Sequence, residues 1–580
     1  MERRIFIGTY IVIFLFGILF FRLWYLQIIK GGEYKKFAER NRLRIIETPA
    51  PRGIIYDRNG NILVNNIPSF DISVIRDDLP RDTETLSALG MPLELSPDEI
   101  KKKLERTPTD LSESVKLKQN VSLEEVAKVE ARRIDFPALQ IDVVVSREYL
   151  YWQFASHIIG YLGRITSKQT KDPRYKNVPR DAFIGHSGIE KVYDDVLRGT
   201  GDRKIIEVDA RGRVLRTVGR QPFIRGEDLE LTIDINLQMI ADDALAGKTG
   251  AVVALDPNTG EILVLASAPS FDPNLFARGI NYEDWQALLN NPLKPLLNRA
   301  IQSQYPPGST FKIITAIAGL EKGVITKDTT VDCGGSINIG RVFRCWKEEG
   351  HGSISLHRAI VESCDVYFYE VGKRLGINTL ARYASDYGLG KPVKIELDGS
   401  KSGLVPSSEW KLRTMRQKWY MGETLNTAIG QGYLNVTPLQ MAQLMAAVIN
   451  GGKLYRLHLI KEADIIIEKE ISIRQETIDF IKKALVGVVN EGGGTGRSAH
   501  SDIITIGGKT GTAQVIGGEK ASGEYEDHAW FVAFAPEDRP EIVVAVLVEH
   551  GGHGSTAAAP IAKKMIEAYY KENKKVASRE

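Results

Sequence analysis

The segment from Ile5 to Phe21 is apolar except at Gly8, Thr9, Tyr10 and Gly17, and after Arg22 the run resumes from Leu23 to Ile29. About 17–25 such residues cross a bilayer as a helix, the one local structure that pairs its own backbone groups where water is absent. The segment divides the chain into a short tail at 1–4, a span at 5–29 and a long remainder on one side. Arg3 and Arg4 precede the span and Trp24 and Tyr25 suit its far interface, so the positive-inside rule puts the N-terminus in the cytoplasm. A cleaved signal peptide fits less well, because the run is long and Gln27-Ile28-Ile29-Lys30 offers no small-residue cleavage site. A buried core helix would be expected to carry more polar positions. No second run of this length follows, so a single pass is expected.

In a chain of 580 residues the remainder has room for several domains. Apolar residues make up 43% and charged residues 26%, the balance of a folded chain able to bury a core. A net charge of +3 gives no reason to expect nucleic acid as a partner. Three cysteines, Cys333, Cys345 and Cys364, are too few for a disulfide framework at this length.

Beyond the span, Arg52 to Gly60 reads as a strand leading into an Asn-Gly turn, with Ile62-Leu63-Val64 returning. Residues 78–135 are charged and helix-like, the pattern of a solvated or partner-facing lobe. Strand-like runs continue to about residue 226, and Leu229 to Ile235 alternates apolar with polar residues. Gly250–Leu255, a turn at Asp256–Gly260 and Glu261–Ser267 predict a hairpin. Helices are expected after Ser309, over 356–376, from Pro438 to Ile449 and from Pro560 to Lys571, with a loose charged tail at 572–580. Strands are expected at Ile503–Ile506, Thr510–Val515, Trp530–Ala535 and Glu541–Glu549. Strands at both ends with helices between predict an α+β domain: one antiparallel sheet flanked by helices.

The chemistry concentrates around Tyr305-Pro306-Pro307-Gly308-Ser309-Thr310-Phe311-Lys312. Turn residues precede an apolar helical run, so a helix is expected from about Ser309, with Ser309 and Lys312 on one face. A serine hydroxyl needs a nearby base to become a nucleophile, and a desolvated lysine can serve. Free N–H groups at a helix start can hold an oxyanion. Ser-x-x-Lys alone is common by chance, but Ser363-Cys364-Asp365 follows 54 residues later and Lys509-Thr510-Gly511-Thr512 a further 146.

On these motifs the chain resembles the class B penicillin-binding proteins, and within them the branch that serves rod-shape elongation. The likeness also rests on Arg52-Gly53 with Asp57–Gly60, Gly185–Glu190 with Leu197-Arg198-Gly199, Val366–Tyr369 and Gly430-Gln431-Gly432. It implies a membrane anchor, an elongated pedestal (dimerisation-type) domain at about 30–228 and a transpeptidase domain at about 229–571. The region before Leu229 is too short to add the glycosyltransferase of the bifunctional class A proteins. The implied activity is D,D-transpeptidation of peptidoglycan stem peptides during lateral wall growth, with covalent capture of β-lactams. By resemblance Ser309 is the nucleophile, Lys312 its base, Ser363 the relay to the leaving amine and Lys509 a fixed positive charge. Thr510 and Thr512 would hold the substrate carboxylate, Gly511 lets the strand approach, and the N–H groups of Ser309 and Thr512 would form the oxyanion hole. Asp365 departs from the Ser-x-Asn form and reads as a mark of the elongation branch. The implied setting is the bacterial inner membrane, with the catalytic part outside the cytoplasm. The implied partners are a SEDS-type glycosyltransferase and a shape-determining scaffold protein on the pedestal.

Cys333, Cys345, His351 and Cys364 fall within 32 residues at spacings of 12, 6 and 13. No cofactor is needed for the acyl transfer itself, but thiolates with an imidazole suit structural zinc. A Cys333–Cys345 disulfide or three unrelated buried thiols are the other readings, and Asp332 is a spare ligand. His550 and His553 read as loop residues near the cleft rim. Three rival functions stand: a carboxypeptidase or β-lactamase, a division-specific class B protein, and a non-catalytic β-lactam sensor or scaffold.

Overall fold

The computed structural model describes residues 2–577 except 36–42, 76–81, 107–113, 133, 137–138, 177, 180–181, 209–213, 278 and 515–525. Val515 and parts of the charged stretch at 78–135 thus lie outside the described residues.

A helix over Glu2–Trp24 passes into a wider turn at Tyr25–Ile29. Among the described residues this is the one helix long and apolar enough to cross a membrane. Its 27 residues from Arg3 to Ile29 reach about 40 Å, more than the hydrocarbon thickness, so the span can tilt.

The pedestal is built on a long strand, Ile62–Ile75, paired antiparallel with Leu139–Tyr149 and Ser114–Val121. The charged stretch is not wholly helical: Thr83–Gly90, Pro97–Arg106 and Leu123–Glu130 are helices, but Ser114–Val121 is a strand. Val115, Leu117 and Val121 face the pedestal core, while Lys116 and Lys118 reach Asp71 and Glu125. The Asn-Gly turn returns as expected, and Leu229–Glu230 then adds parallel to Ile55–Tyr56, tying the two halves together. The alternating run ends there, because Asp234 caps a helix at Ile235–Ala244.

The pedestal motifs meet in a buried ion cluster. Arg52 Nη2 lies 2.8 Å from Glu190 Oε2 and 2.9 Å from Asp194 Oδ1. Arg147 Nε lies 2.7 Å from Glu190 Oε1, and Arg198 Nη1 lies 3.1 Å from Asp194 Oδ2. Burial alone would raise the Glu190 carboxyl pKa, but the Arg147 and Arg52 charges outweigh it and the pKa is lowered.

The C-terminal half is organised by five strands: β1 (Gly250–Leu255), β2 (Ile262–Ala268), β3 (Gly507–Ala513), β4 (His528–Ala535) and β5 (Ile542–Val548). Their order is β2-β1-β5-β4-β3, antiparallel throughout. Both faces are covered, which is why β5 is apolar at every position: Val543, Ala545 and Leu547 pack on one core, Val544, Val546 and Val548 on the other. The helix Pro438–Ile449 lies in the first core, buried along its whole length. The closing helix Ala559–Ala577 covers the other face and runs past the expected end. Glu572, Lys574, Lys575 and Ala577 beyond Lys571 are good helix formers, and Glu572 accepts from Asn236 Nδ2 at 2.8 Å. Ile503–Ile506 is not a strand; its apolar character buries Ile506, and Asn490 Nδ2 caps the Ile506 carbonyl at 2.9 Å.

Candidate active site

Ser309 sits on a tight 3₁₀ turn, Gly308–Phe311, and the α-helix α1 begins only at Lys312 and runs to Glu321. The expected α-helical start is thus one turn late, but a 3₁₀ turn also aligns positions three apart. The turn is clamped on three sides. Gly308 N donates to Gly430 O at 2.9 Å, Trp530 Nε1 donates to Pro306 O at 3.0 Å, and Tyr305 exchanges two backbone bonds with Val436 at 2.9 Å. Tyr305 also donates its hydroxyl to Glu549, which Arg299 holds at 3.0 Å.

Two glycines make this closeness possible. A Cβ on Gly430, at φ 78°, would meet Gly308 O at 2.0 Å, and one on Gly511 would meet Pro307 O at 2.8 Å. Larger residues would separate the serine turn from its neighbours. Gln431 Nε2 bridges the floor of the cleft to Thr512 O at 3.1 Å.

The middle motif breaks the helix expected over 356–376. α2 (Leu356–Val361) ends, Ser363 turns to φ +57°, and α3 (Asp365–Leu375) begins. Left-handed backbone is costly for serine, and here it aims both the carbonyl and the hydroxyl of Ser363 at Lys312 Nζ. Lys312 Nζ donates to Ser363 O at 2.8 Å, to Ser363 Oγ at 3.2 Å and to Asp365 Oδ1 at 2.7 Å. Lys312 has no exposed surface. Asp365 is therefore a full partner: Oδ1 takes Lys312, and Oδ2 accepts Trp346 N at 2.9 Å.

Lys509 is also fully buried, and its ammonium reaches Thr510 O at 3.3 Å. Burial above all, and the nearby Lys312 charge, push its pKa well down, with Asp365 pulling the other way. Thr510 Oγ1 shares a 2.8 Å hydrogen bond with Thr495 Oγ1. Sequence reading missed Thr495, although Gly492-Gly493-Gly494-Thr495-Gly496 just ahead of β3 was the signal available. That loop is held by Thr495 N on Val361 O at 3.2 Å and by Arg358, which spans Glu362 and Glu491. Trp346 was missed as well; its ring N–H donates to the carbonyls of Glu362 at 3.0 Å and Ser363 at 3.1 Å.

The four cysteine-window residues converge. Their ligand atoms lie within 4.8 Å of one another, and the three thiols are buried and free. His351 Nδ1 is 3.4 Å from Cys333 Sγ and 3.6 Å from Cys345 Sγ, close to the ~3.5 Å edge of a tetrahedron with ordinary Zn–S and Zn–N bonds. His351 Nε2 has no hydrogen-bond partner among the described residues, and Glu362 Oε2 lies 4.0 Å away, a carboxylate of the kind that often orients a metal-bound imidazole. The hydrogen bond between the two thiols lowers the Cys345 pKa and raises that of Cys364, so Cys345 is the readier thiolate of the pair. The donor set fits zinc. Asp332 is exposed and outside the group. Cys345 Sγ accepts Asp365 N at 3.4 Å, so the cluster touches the middle motif directly. His550 lies on the loop after β5 with its ring 4.8 Å from His528, and His553 caps the short helix that follows.

Residues 250–567 match the penicillin-binding protein transpeptidase domain, and residues 47–231 match the penicillin-binding protein dimerisation domain. The chain is 37% identical to the peptidoglycan D,D-transpeptidase MrdA of Acinetobacter baumannii, over 99% of this chain and 88% of that one. It superposes on penicillin-binding protein PBP2 of Helicobacter pylori, solved in complex with MreC, with a TM-score of 0.82 at 30% identity, covering 91% and 99% of the two chains. A chain from a peptidoglycan synthase complex that coordinates polymerization and crosslinking matches at 0.73 and 32% identity, covering 98% of each.

Proposed function

The chain belongs to the class B penicillin-binding proteins, and from that premise we infer that it is the serine D,D-transpeptidase that cross-links peptidoglycan stem peptides in lateral wall elongation. The observation that carries the reading is the convergence on Lys312. Three residues from Ser309, it is buried against Ser363 and Asp365, joining two motifs far apart in sequence.

Ser309 Oγ attacks the carbonyl of the D-Ala-D-Ala amide, and the neutral amine form of Lys312 takes its proton. The N–H groups of Ser309 and Thr512 hold the oxyanion. The C–N bond breaks, and Ser363 hands a proton to the departing D-alanine. The amine of a second stem then attacks the acyl ester, its surplus proton passes by way of Ser363 and Lys312 to Ser309 Oγ, and the C–O bond breaks. Lys509, Thr510 and Thr512 hold the terminal carboxylate, and Gly511 keeps the strand close. A lysine as deeply buried as Lys509 takes its charge most readily when that anion arrives. β-Lactams enter by the same acylation and stay.

On this reading the chain divides into an anchor at 5–29, a pedestal at 30–228 and a transpeptidase domain from 229, whose closing helix runs to Ala577 rather than ending at 571. The helix crosses the inner membrane with the N-terminus in the cytoplasm. Cys333, Cys345, His351 and Cys364 would hold a structural zinc, which would supply a fixed tie for the loop that carries Trp346 and take no part in the acyl transfer. A SEDS-type glycosyltransferase supplies glycan, and a scaffold protein of the MreC kind docks on the pedestal. These partner readings are supported by the complexes in which the similar structures were solved.

The test is turnover of uncross-linked pentapeptide peptidoglycan by the full-length protein with a SEDS-type glycosyltransferase. Cross-linked dimers formed faster than free tetrapeptides support transpeptidation. Tetrapeptides alone would make it a carboxypeptidase, and no product from protein that still binds penicillin would make it a sensor.

A further inference from the structure

A buried lysine beside the cleft has no part in the chemistry above. Lys411, on α4 (Ser408–Met415), has a side chain 2% exposed and ion-pairs with Glu423 of α5 (Met421–Ala428). Its ammonium faces the rings of Tyr420 at 4.8 Å, Trp419 at 5.9 Å and Tyr433 at 6.0 Å. Trp410 packs on Tyr433 with ring centres 5.3 Å apart, and Trp419 packs on it at 6.3 Å. Glu423 also accepts Tyr420 N at 2.8 Å, and Trp419 Nε1 donates to Thr424 Oγ1 at 2.8 Å. Burying a charge is costly unless it is well partnered. Here it locks four aromatic side chains into one rigid ledge.

The outer side of the ledge is unusual for a surface. Tyr420 is 64% exposed and Leu412 59%, with Met421 and Met415 also open. Between them Arg413, Arg416 and Lys418 are exposed and have no carboxylate partner among the described residues. From Ser408 to Tyr420 the chain carries four basic residues, Lys411 included, and one acid, Glu409. Two short chain connections link the ledge to the active site. Tyr433 follows two residues after Gln431, which touches Thr512, and Gly422 packs on Phe343, three residues before Trp346.

We propose that this basic-aromatic ledge is a subsite for the glycan strand and stem carboxylates of polymeric peptidoglycan, outside the pocket that grips D-Ala-D-Ala. The proposal rests on the transpeptidase reading. Sugar rings present flat C–H faces that pack on aromatic rings, and stem peptides carry free carboxylates that guanidinium and ammonium groups pair with. The charge balance of the ledge complements that anionic polymer.

The experiment compares Tyr420→Ala and the double variant Arg416→Glu/Lys418→Glu with the unaltered full-length protein. All three are given uncross-linked polymeric peptidoglycan, a glycan-free pentapeptide and fluorescent penicillin. The expected result is a rise in KM for the polymer of about tenfold or more, as two or three lost contacts would give. Hydrolysis or transfer of the free peptide and penicillin labelling stay unchanged. Equal loss on polymer and free peptide would mean the residues merely support the cleft, and no loss on the polymer would mean the strand does not touch them. Loss seen only when a glycosyltransferase supplies the glycan would make the ledge a protein-docking face. Each of these three results overturns the proposal. Failure of the unaltered protein to take up penicillin would instead overturn the transpeptidase reading.

Discussion

Glu190 offers a stringent check on the pedestal. It has no exposed surface, and its two oxygens hold Arg52 at 2.8 Å and Arg147 at 2.7 Å. With Asp194 and Arg198 the cluster holds three cations and two anions. Glu190→Gln keeps the shape and removes one anion, leaving three guanidiniums to share Asp194. Each charge-assisted hydrogen bond lost costs about 1.5–3 kcal/mol, and removing one partner of a buried ion pair typically costs about 3–5 kcal/mol. The expected destabilisation is therefore about 4 kcal/mol. At about 2–4 °C per kcal/mol for a unit of this size, the pedestal transition should fall by roughly 10 °C. The sign with pH follows from the lowered Glu190 pKa relative to its ordinary 4.5. Its contribution is full above the unfolded value and is lost as pH falls through the folded value. The gap between the unaltered protein and Glu190→Gln should thus hold steady above about pH 5 and close below it. Thermal unfolding of the full-length protein in detergent, scanned from pH 7 to pH 3 with penicillin labelling alongside, reads both effects. A shift under 2 °C at pH 7, or a gap that widens in acid, would refute the reasoning.

Two further outcomes are expected. Thr495→Val should raise KM for a D-Ala-D-Ala peptide about five- to tenfold, because one hydrogen bond of about 1 kcal/mol orients Thr510, while Thr495→Ser restores it; an unchanged Thr495→Val kinetic profile would exclude this role. Removing metal with a strong chelator, or Cys364→Ser, should free the loop at Trp346 and slow penicillin acylation by about 10–100-fold, the worth of the Trp346–Asp365 bond, with about one zinc per chain found beforehand by mass spectrometry; metal-free protein acylating at full rate would contradict the brace.

The hairpin at Asp256–Gly260 and the helix at Pro438 were legible because turn chemistry and a Pro-led apolar run act locally. The order of the three motifs was legible because each carries its own chemistry. The break at Ser363 was not, since its left-handed backbone is imposed by Lys312, 51 residues away. Nor was the strand Ser114–Val121, whose alternation is hidden by lysines that find acids only in the folded pedestal. Ile503–Ile506 misled because an apolar run can fill a core without joining a ladder. Thr495 and Trp346 escaped notice because a hydroxyl or an indole gains its role only from what folding sets beside it.

The most direct test of the central claim is the intact mass of the full-length protein after exposure to penicillin, followed by peptide mapping. One penicilloyl adduct per chain on the peptide containing Ser309, absent from a folded Ser309→Ala variant and strongly slowed in Lys312→Ala, is the predicted result. An adduct on another residue, or undiminished labelling of Ser309→Ala, would contradict it.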